Sequence, residues 1–296
     1  MENASLKVKY TTSVIIYGTI GMILRFISFP SELVVFSRGL IGSIFIVLFL
    51  RYSRKNLDKK AIKHNLNFLI ISGICLGLNW FFLFAAYMHT TVAIASLCNY
   101  TAPVIVVALS PFLYKEKIAP LKIVCIFTSV LGVIFVSGII TEGLANINLI
   151  GIALGLCAAI CFVFLVIFNK KIEGISSYDK SVMQLSISAL TVLPYVILNN
   201  IGKPIEINLH SLILTALLGV FHTGIAYILY FGSMPLLPVN DVAILGYLEP
   251  AVSVLCSIFI LKEKMDIFGL LGAFLIIGSA IISEVRIPHH KFSSSE

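Results

Sequence analysis

The sequence is short of charge: Asp, Glu, Lys and Arg make up only 12% of its 296 residues. A soluble domain covers itself with polar and charged side chains, and this chain has too few to do so. It has no long polar segment either. The longest, RYSRKNLDKKAIKH, runs over residues 51–64, which leaves no room for a separate soluble domain. No C-x-x-C spacing occurs among Cys75, Cys98, Cys125, Cys157, Cys161 and Cys256, all of which lie in apolar runs. Cys157 and Cys161 share a helix face, but two thiols alone make a poor metal site, so the cysteines read as small hydrophobes. H-E-x-x-H and G-x-S-x-G are missing. Asp58, Asp179, Asp241 and Asp266 all fall at the ends of apolar runs or between them, which leaves a two-aspartate intramembrane protease unsupported. No phosphate-binding loop suggests an ATP-driven pump. The expectation is a protein that is not an enzyme and holds no cofactor or metal.

What the chain has is apolar length. Hydrophobic residues make up 59%, the mean hydropathy is +1.03, and stretches of about 20 apolar residues recur, enough to cross ~30 Å of hydrocarbon as helix. A transmembrane barrel would alternate, and these runs are continuous. The fold class is therefore an all-α polytopic membrane protein, with the lipid bilayer as solvent. The first ten residues, MENASLKVKY, lead straight into a span, so no cleavable signal is expected. Ten spans are predicted, over 10–28, 32–51, 66–88, 92–114, 119–140, 148–168, 180–199, 210–233, 238–261 and 266–284, with short connections.

The net charge of +7 has a topological explanation rather than a nucleic-acid one. One side of the ten-span plan collects Lys7, Lys9, the basic residues from Arg51 to Lys63, Lys115, Lys117, Lys122, Lys170, Lys171, Lys180, Arg286 and Lys291. The other side holds Lys203, Lys262 and Lys264. Basic loops stay inside, so both termini are expected in the cytoplasm of a bacterial cell, with the protein in its inner membrane.

Residues 99–117, NYTAPVIVVALSPFLYKEK, align without a gap with residues 246–264, GYLEPAVSVLCSIFILKEK. The register extends over 72–136 against 219–283 and pairs Gly77 with Gly224, Phe84 with Phe231, Tyr100 with Tyr247 and Pro103 with Pro250. Five spans separate the two endings, so they point to opposite sides. The chain reads as an inverted five-plus-five repeat, residues 1–143 and 144–296, an arrangement characteristic of secondary transporters.

On the endings APVIVVALSPFLYKEK and LEPAVSVLCSIFILKEK, on Arg38 in span two and on the ten-span plan, the chain from about Tyr10 to Ser283 resembles the drug/metabolite transporter superfamily, EamA type. The resemblance implies a carrier of metabolites, amino acids or drugs, with a cavity lined chiefly by spans one, three, four, six, eight and nine.

Polar residues near mid-span are costly unless a partner or water compensates them. They form the candidate substrate site: Asn79, Trp80, Asn99, Tyr100, His222, Tyr227, Tyr247 and Glu249. Glu249, the acid at mid-depth, either serves transport or holds carbonyls freed by the Pro250 kink. With His222 it is also the candidate coupling group, while a lone intramembrane His is otherwise a neutral hydrogen-bonder. Trp80, Phe84 and Tyr87 share one helix stripe, and Tyr227 and Tyr230 lie together. These are an aromatic wall for an organic or cationic substrate, or else interhelical packing. Asn79 and Asn99 bond a substrate or each other. Arg25 and Arg38 read as paired or snorkelling structural arginines. The Lys-Glu-Lys triplets read as helix-end caps, with Glu116 and Glu263 as possible gate partners for basic residues of the opposite half. Gly73/Gly77 and Gly151/Gly155 are G-x-x-x-G pairs for close helix approach. The absence of Lys and Arg from the mid-depth set argues against phosphorylated substrates.

The expected function is secondary transport, as exporter or exchanger, of a small organic metabolite such as an amino acid, with proton or substrate counter-exchange. A nucleoside-type or cationic-drug carrier is the alternative, and a membrane-embedded enzyme the reading from another class. The protein is expected as a monomer or homodimer.

Overall fold

The computed structural model describes residues 2–114, 120–138, 140, 148–200 and 207–284. The Lys115–Glu116–Lys117 triplet, Lys203, Arg286 and Lys291 lie outside the described residues. Among the described residues every regular element is a helix. Among the described residues six helices are long and apolar enough to cross a membrane: Ser31–Tyr52, Leu66–His89, Val92–Leu109, Leu149–Asn169, Ser177–Asn200 and Leu209–Leu236. Shorter apolar helices run over Pro120–Val136, Leu248–Ile260 and Ile267–Ile282. Leu48, Phe127, Leu198 and Phe274 are exposed on the outside of the bundle, which suits a hydrocarbon solvent and no other.

In chain order the elements are α1 (Glu2–Gly18), α2 (Ile20–Leu24), α3 (Ser31–Tyr52), α4 (Lys59–His64), α5 (Leu66–His89), α6 (Val92–Asn99), α7 (Ala102–Tyr114) and α8 (Pro120–Val136). There follow α9 (Leu149–Asn169), α10 (Ser177–Asn200), α11 (Leu209–Leu217), a π-helical stretch over Leu218–Ile225, and α12 (Ala226–Ser233). Then come α13 (Val239–Gly246), α14 (Leu248–Leu255), a π turn over Cys256–Ile260, and α15 (Ile267–Glu284). Local chemistry sets the starts. Asp58 accepts from the Lys60 and Ala61 N–H groups, Thr91 from Ile94, Asn148 from Gly151 and Asn208 from Ser211, each satisfying donors the first helical turn leaves open.

Three of these rods are interrupted. Thr19 bonds back to the Ile16 carbonyl (2.8 Å) and separates α1 from α2. Tyr100 and Thr101 separate α6 from α7, and Tyr247 separates α13 from α14. The prolines explain the last two. Pro103 and Pro250 sit in the first turn of the new helix, where a missing N–H leaves nothing unpaired, while the ring blocks continuation from before. The expected mid-helix kink at Pro250 is thus a helix start, and Glu249 stands at its second position.

The packing is symmetric in an informative way. α5 packs on α9, as the 209–236 rod packs through α12 on α1. α5 packs on α10, as the π stretch packs on α3; α9 packs on α6, as α1 packs on α14. Further contacts join α3 with α10, α8 with α15, α3 with α5, and α6 with α14. Glycines make the closest of these approaches possible. A Cβ on Gly272 would lie 2.6 Å from the Gly132 carbonyl oxygen, and one on Gly77 2.8 Å from that of Ser188. Gly73, Gly151 and Gly155 likewise face Ile187, Thr90 and Cys98, so both G-x-x-x-G pairs lie at helix contacts.

Polar contacts between connections form two sets. One joins Lys7 to Asp241 (2.8 Å), the Tyr10 hydroxyl to the Val242 carbonyl, and Asn65 to both backbone groups of Glu173. The other joins Asn199 to Glu32, the Ser28 N–H to Ser211, and Arg25 to Glu263. These two sets are the ends of the bundle, and the candidate site lies between them.

Candidate substrate site

The interruption at Tyr100 leaves that side chain free to turn inward, where its hydroxyl donates to the Glu249 carboxylate. The two residues come from opposite halves of the chain. Beside them is a cavity of about 20 Å³ lined by Tyr17, Gly18, Leu83, Tyr87, Ser96, Asn99, Tyr100, Glu249 and Ser253. That is room for about one water molecule. A hydroxyl chain forms one wall: Tyr87 Oη to Ser96 Oγ at 3.1 Å, and Ser96 Oγ to Ser253 Oγ at 2.8 Å. Glu249, at the start of α14, also sits where open backbone N–H groups favour a negative charge. Gly18 is there because its neighbour is the Glu249 carbonyl; a Cβ would stand 2.7 Å from that oxygen.

Asn79 donates to Asn99 Oδ1 (2.9 Å) and to the Ala158 carbonyl (2.8 Å), so it ties α5 to α6 and α9. Of the two expected roles for this pair, the structure shows interhelical bonding. Asn99 also reaches the cavity.

The second feature is Arg38. It is 2% exposed, its guanidinium lies 3.9 Å from the centre of the Trp80 ring and 5.5 Å from that of Phe84, and its Nε donates to Thr223 Oγ1 (3.1 Å). Thr223 is offered by the π stretch, where its hydroxyl also donates to the Leu218 carbonyl (3.0 Å). Tyr17, Tyr87, Tyr227 and Glu249 lie within electrostatic range of Arg38. This corrects the expectation that no Lys or Arg belongs with the mid-depth set. Two helical turns from the end of α3 suffice to bring Arg38 level with Trp80, because α3 and α5 pack side by side.

The other candidates divide. Tyr227 packs edge-on against Tyr17 (5.9 Å) and Phe231 (5.3 Å), and Tyr230 against Tyr10 and Tyr17, so an aromatic wall stands behind the cavity. His222 is not paired with Glu249: its Nε2 meets Thr19 Oγ1 at 3.0 Å, and Nδ1 faces the Leu217 carbonyl. The unwound turn at Thr19 supplies that partner. Tyr247, despite its register with Tyr100, packs with Val104 and Ala280, away from the cavity lining. Tyr17, Ser96 and Ser253 were not foreseen. They are small or isolated polar residues in apolar runs, and only the crossing of three helices distinguishes them. Among the described residues, no three His, Cys, Asp or Glu side chains gather as a metal site.

At one end Arg25 donates through Nη2 to Glu263 Oε1 (2.9 Å) and to the Thr90 carbonyl (2.6 Å). Glu263 also accepts from the Val92 N–H (2.9 Å) and the Ser257 hydroxyl. Of its two expected roles, the structure gives Glu263 the ion pair with the first half.

A larger apolar groove, about 350 Å³, lies between α7, α8 and α9, lined by residues such as Val104, Leu109, Val130 and Ile134. Among the described residues its lining holds no charged group, and its polar members are Thr101 and Ser129.

The sequence profile of the EamA-like transporter family matches residues 10–138 and 149–284. An uncharacterized transporter of Bacillus subtilis strain 168, YxxF, is 27% identical over 96% of this chain and 91% of its own length. An uncharacterized transporter of Clostridium kluyveri is 28% identical over 82% of this chain and 80% of its own. A protein of known crystal structure, 18% identical, superimposes with a TM-score of 0.62 over 95% of this chain and 97% of that one, a likeness of fold.

Proposed function

The chain belongs to the EamA-like transporter family, and on that premise we propose that it is a secondary transporter of a small organic metabolite such as an amino acid, working by alternating access. One observation carries the reading. Two helices break at Tyr100–Thr101 and at Tyr247, positions equivalent between the halves, and the broken ends border a buried polar centre. Interrupted helices at mid-depth are how transporters expose backbone and side-chain groups to a substrate. The exchange symmetry of the packing supports ten spans in two inverted halves, residues 1–143 and 144–296. Swapping the conformations of the halves then moves the opening from one face to the other. In this reading a polar cavity with room for about one water belongs to a closed state of the cycle.

Both termini are cytoplasmic in this reading, and the 262–264 triplet external, in a bacterial inner membrane. Single cysteines at Ser53 and Lys264 in a cysteine-free background test it. Only Lys264→Cys is expected to react with an impermeant maleimide on intact cells. Reaction of both sinks the topology. Transport itself is tested by counterflow: proteoliposomes preloaded with mixed amino acids accumulate labelled substrate only when the protein is present. The aromatic wall of Tyr17, Tyr227 and Tyr230 favours a second reading, a nucleoside-like or cationic drug substrate, which the same assay distinguishes.

A further inference from the structure

We propose that Arg38 is the substrate's carboxylate anchor, so that the molecule this protein moves carries a carboxylate. The inference rests on the transport reading above and names its substrate class. Four observations meet at this residue. The guanidinium is buried at the level of Trp80, inside the bundle. Among the described residues its hydrogen bond is from Nε to Thr223, no acceptor meets either terminal nitrogen, and neither is a fully enclosed unpartnered atom, so the forked end of the group reaches open space. Ion pairs among the described residues join Lys7 to Asp241 and Arg25 to Glu263, and neither touches Arg38. Finally, the group is held at two points: its Cζ lies 3.9 Å from the centre of the Trp80 ring, and Nε donates to Thr223 Oγ1, which together limit where the fork can lie.

A buried cation without a counter-ion is costly, and proteins otherwise neutralise it with a carboxylate or a set of carbonyls. Stacking on an aromatic face compensates part of that cost and leaves the donors open. Two parallel N–H groups in a fixed plane match a carboxylate in bidentate fashion, which a lysine in the same place does not. The neighbours suit an organic acid with an apolar body: Phe84, Tyr87, Tyr17 and Tyr227 surround the approach, and the Glu249 carboxylate disfavours a second negative charge. A monocarboxylate fits this balance, and so does an amino acid, whose ammonium group Glu249 would face.

Three matched probes separate the sources: phenylalanine, phenyllactate, which keeps the carboxylate and loses the amine, and phenethylamine, which keeps the amine and loses the carboxylate. Purified wild-type protein is assayed for thermal stabilisation by each, and proteoliposomes for uptake and competition. Carboxylate-bearing probes are expected to bind and be transported, and phenethylamine to compete at least ~10-fold less well, the loss expected when a charge-assisted pair has no partner. Arg38→Lys is expected to raise KM for these acids ~10-fold or more with a smaller change in kcat. Should that variant fail to fold, Thr223→Val keeps the charge and frees the guanidinium edge. It is expected to raise KM for both acids and to leave the weak amine competition unchanged.

Phenethylamine moving or competing as well as phenylalanine overturns the anchor and leaves the transport reading intact. An unchanged KM in Arg38→Lys does the same. Failure of the protein to move any of the three probes or the mixed amino acids overturns both readings. Preference for phenylalanine over phenyllactate supports the anchor and assigns Glu249 the amine.

Discussion

Arg25 and Arg38 lie on adjacent rods of one half of the chain, both are drawn into an apolar bundle, and they have opposite fates. Arg25 meets Glu263 at 2.9 Å and the Thr90 carbonyl at 2.6 Å, at an end of the bundle. Arg38 meets an aromatic face and one threonine hydroxyl, in the middle. The first is a nearly closed circuit: Glu263 accepts from Arg25 Nη2, the Val92 N–H and the Ser257 hydroxyl, and Arg25 Nε alone is left buried without a partner among the described residues. It ties α2 to the turn before α6 and to the end of the α14 rod, three segments that separate if this end opens. The second is an open circuit, with donors unspent. A buried charge with its partner is a latch or a strut. A buried charge without a partner among the described residues is where the proposed substrate carboxylate would bind.

The largest effect is expected from breaking the first circuit on one side only. Glu263→Gln keeps the size but strands Arg25. The loss of stability should fall between the about 1 kcal/mol of an exposed pair and the about 3–5 kcal/mol of a fully buried one, since the partners are 28% and 14% exposed. Chemical denaturation in detergent measures it. The double variant Arg25→Met, Glu263→Met should recover most of the loss, because two apolar side chains need no partner. In transport the double variant is expected to shift the protein toward the state open at this end, read as faster maleimide labelling of a cysteine at Tyr17. If the double variant is as unstable as the single one, the circuit is not what holds this end.

How much of this was legible in the chain follows the same division. Helix class is a local matter of apolar run length, and the reading found it; the caps at Asp58, Thr91, Asn148 and Asn208 and the fresh helix starts at Ile20, Ala102 and Leu248 were not read from the sequence. The registered tyrosines and prolines marked the two interruptions as well, though as a kink rather than as a break with a fresh start. The roles of the arginines were not legible. Sequence places Arg25 and Arg38 near the ends of apolar runs. Whether either finds a carboxylate depends on Glu263, more than two hundred positions away, and on which helix faces which. His222 shows the same limit. Its similar depth to Glu249 made it a candidate partner, but the unwound turn at Thr19 reaches its ring instead. Tyr247 shares its register with Tyr100 and yet packs against Val104 and Ala280, neighbours that the ungapped alignment does not reveal.

A smaller effect is expected at Glu249, which sharpens the comparison from the other side. It shares Arg38's electrostatic surroundings without pairing with it and is bonded to Tyr100 instead. Glu249→Gln keeps shape and hydrogen bonding to Tyr100 while removing the charge and the titration. Uptake by proteoliposomes, measured over a series of pH values, is expected to lose its pH dependence. Affinity for phenyllactate should rise by a few fold, since a charge disfavouring an anion at Arg38 is gone. A pH profile identical to that of the wild type makes the carboxyl structural.

The smallest effect is expected at the Ser96–Ser253 bond, which lies on the cavity wall and involves neither cation. It joins α6 to α14 at 2.8 Å, one turn beyond Glu249, and so crosses between the halves where α6 and α14 pack. Ser96 is shared with Tyr87, so removing its hydroxyl leaves two groups short of a partner, whereas removing Ser253 leaves one. Ser253→Ala should therefore cost about 1 kcal/mol, the net worth of a neutral hydrogen bond, and Ser96→Ala somewhat more. Because the two residues touch, the double variant should cost less than the sum of the singles. The functional expectation follows from the location. In the proposed alternating-access cycle a bond between the halves is made in one state and broken in another, so Ser253→Ala should alter the rate of exchange and leave KM for phenylalanine nearly unchanged. Additive losses of stability in the double variant would mean the two hydroxyls do not share a bond. A KM raised as far as in Arg38→Lys would move the binding site from the guanidinium to the serine wall.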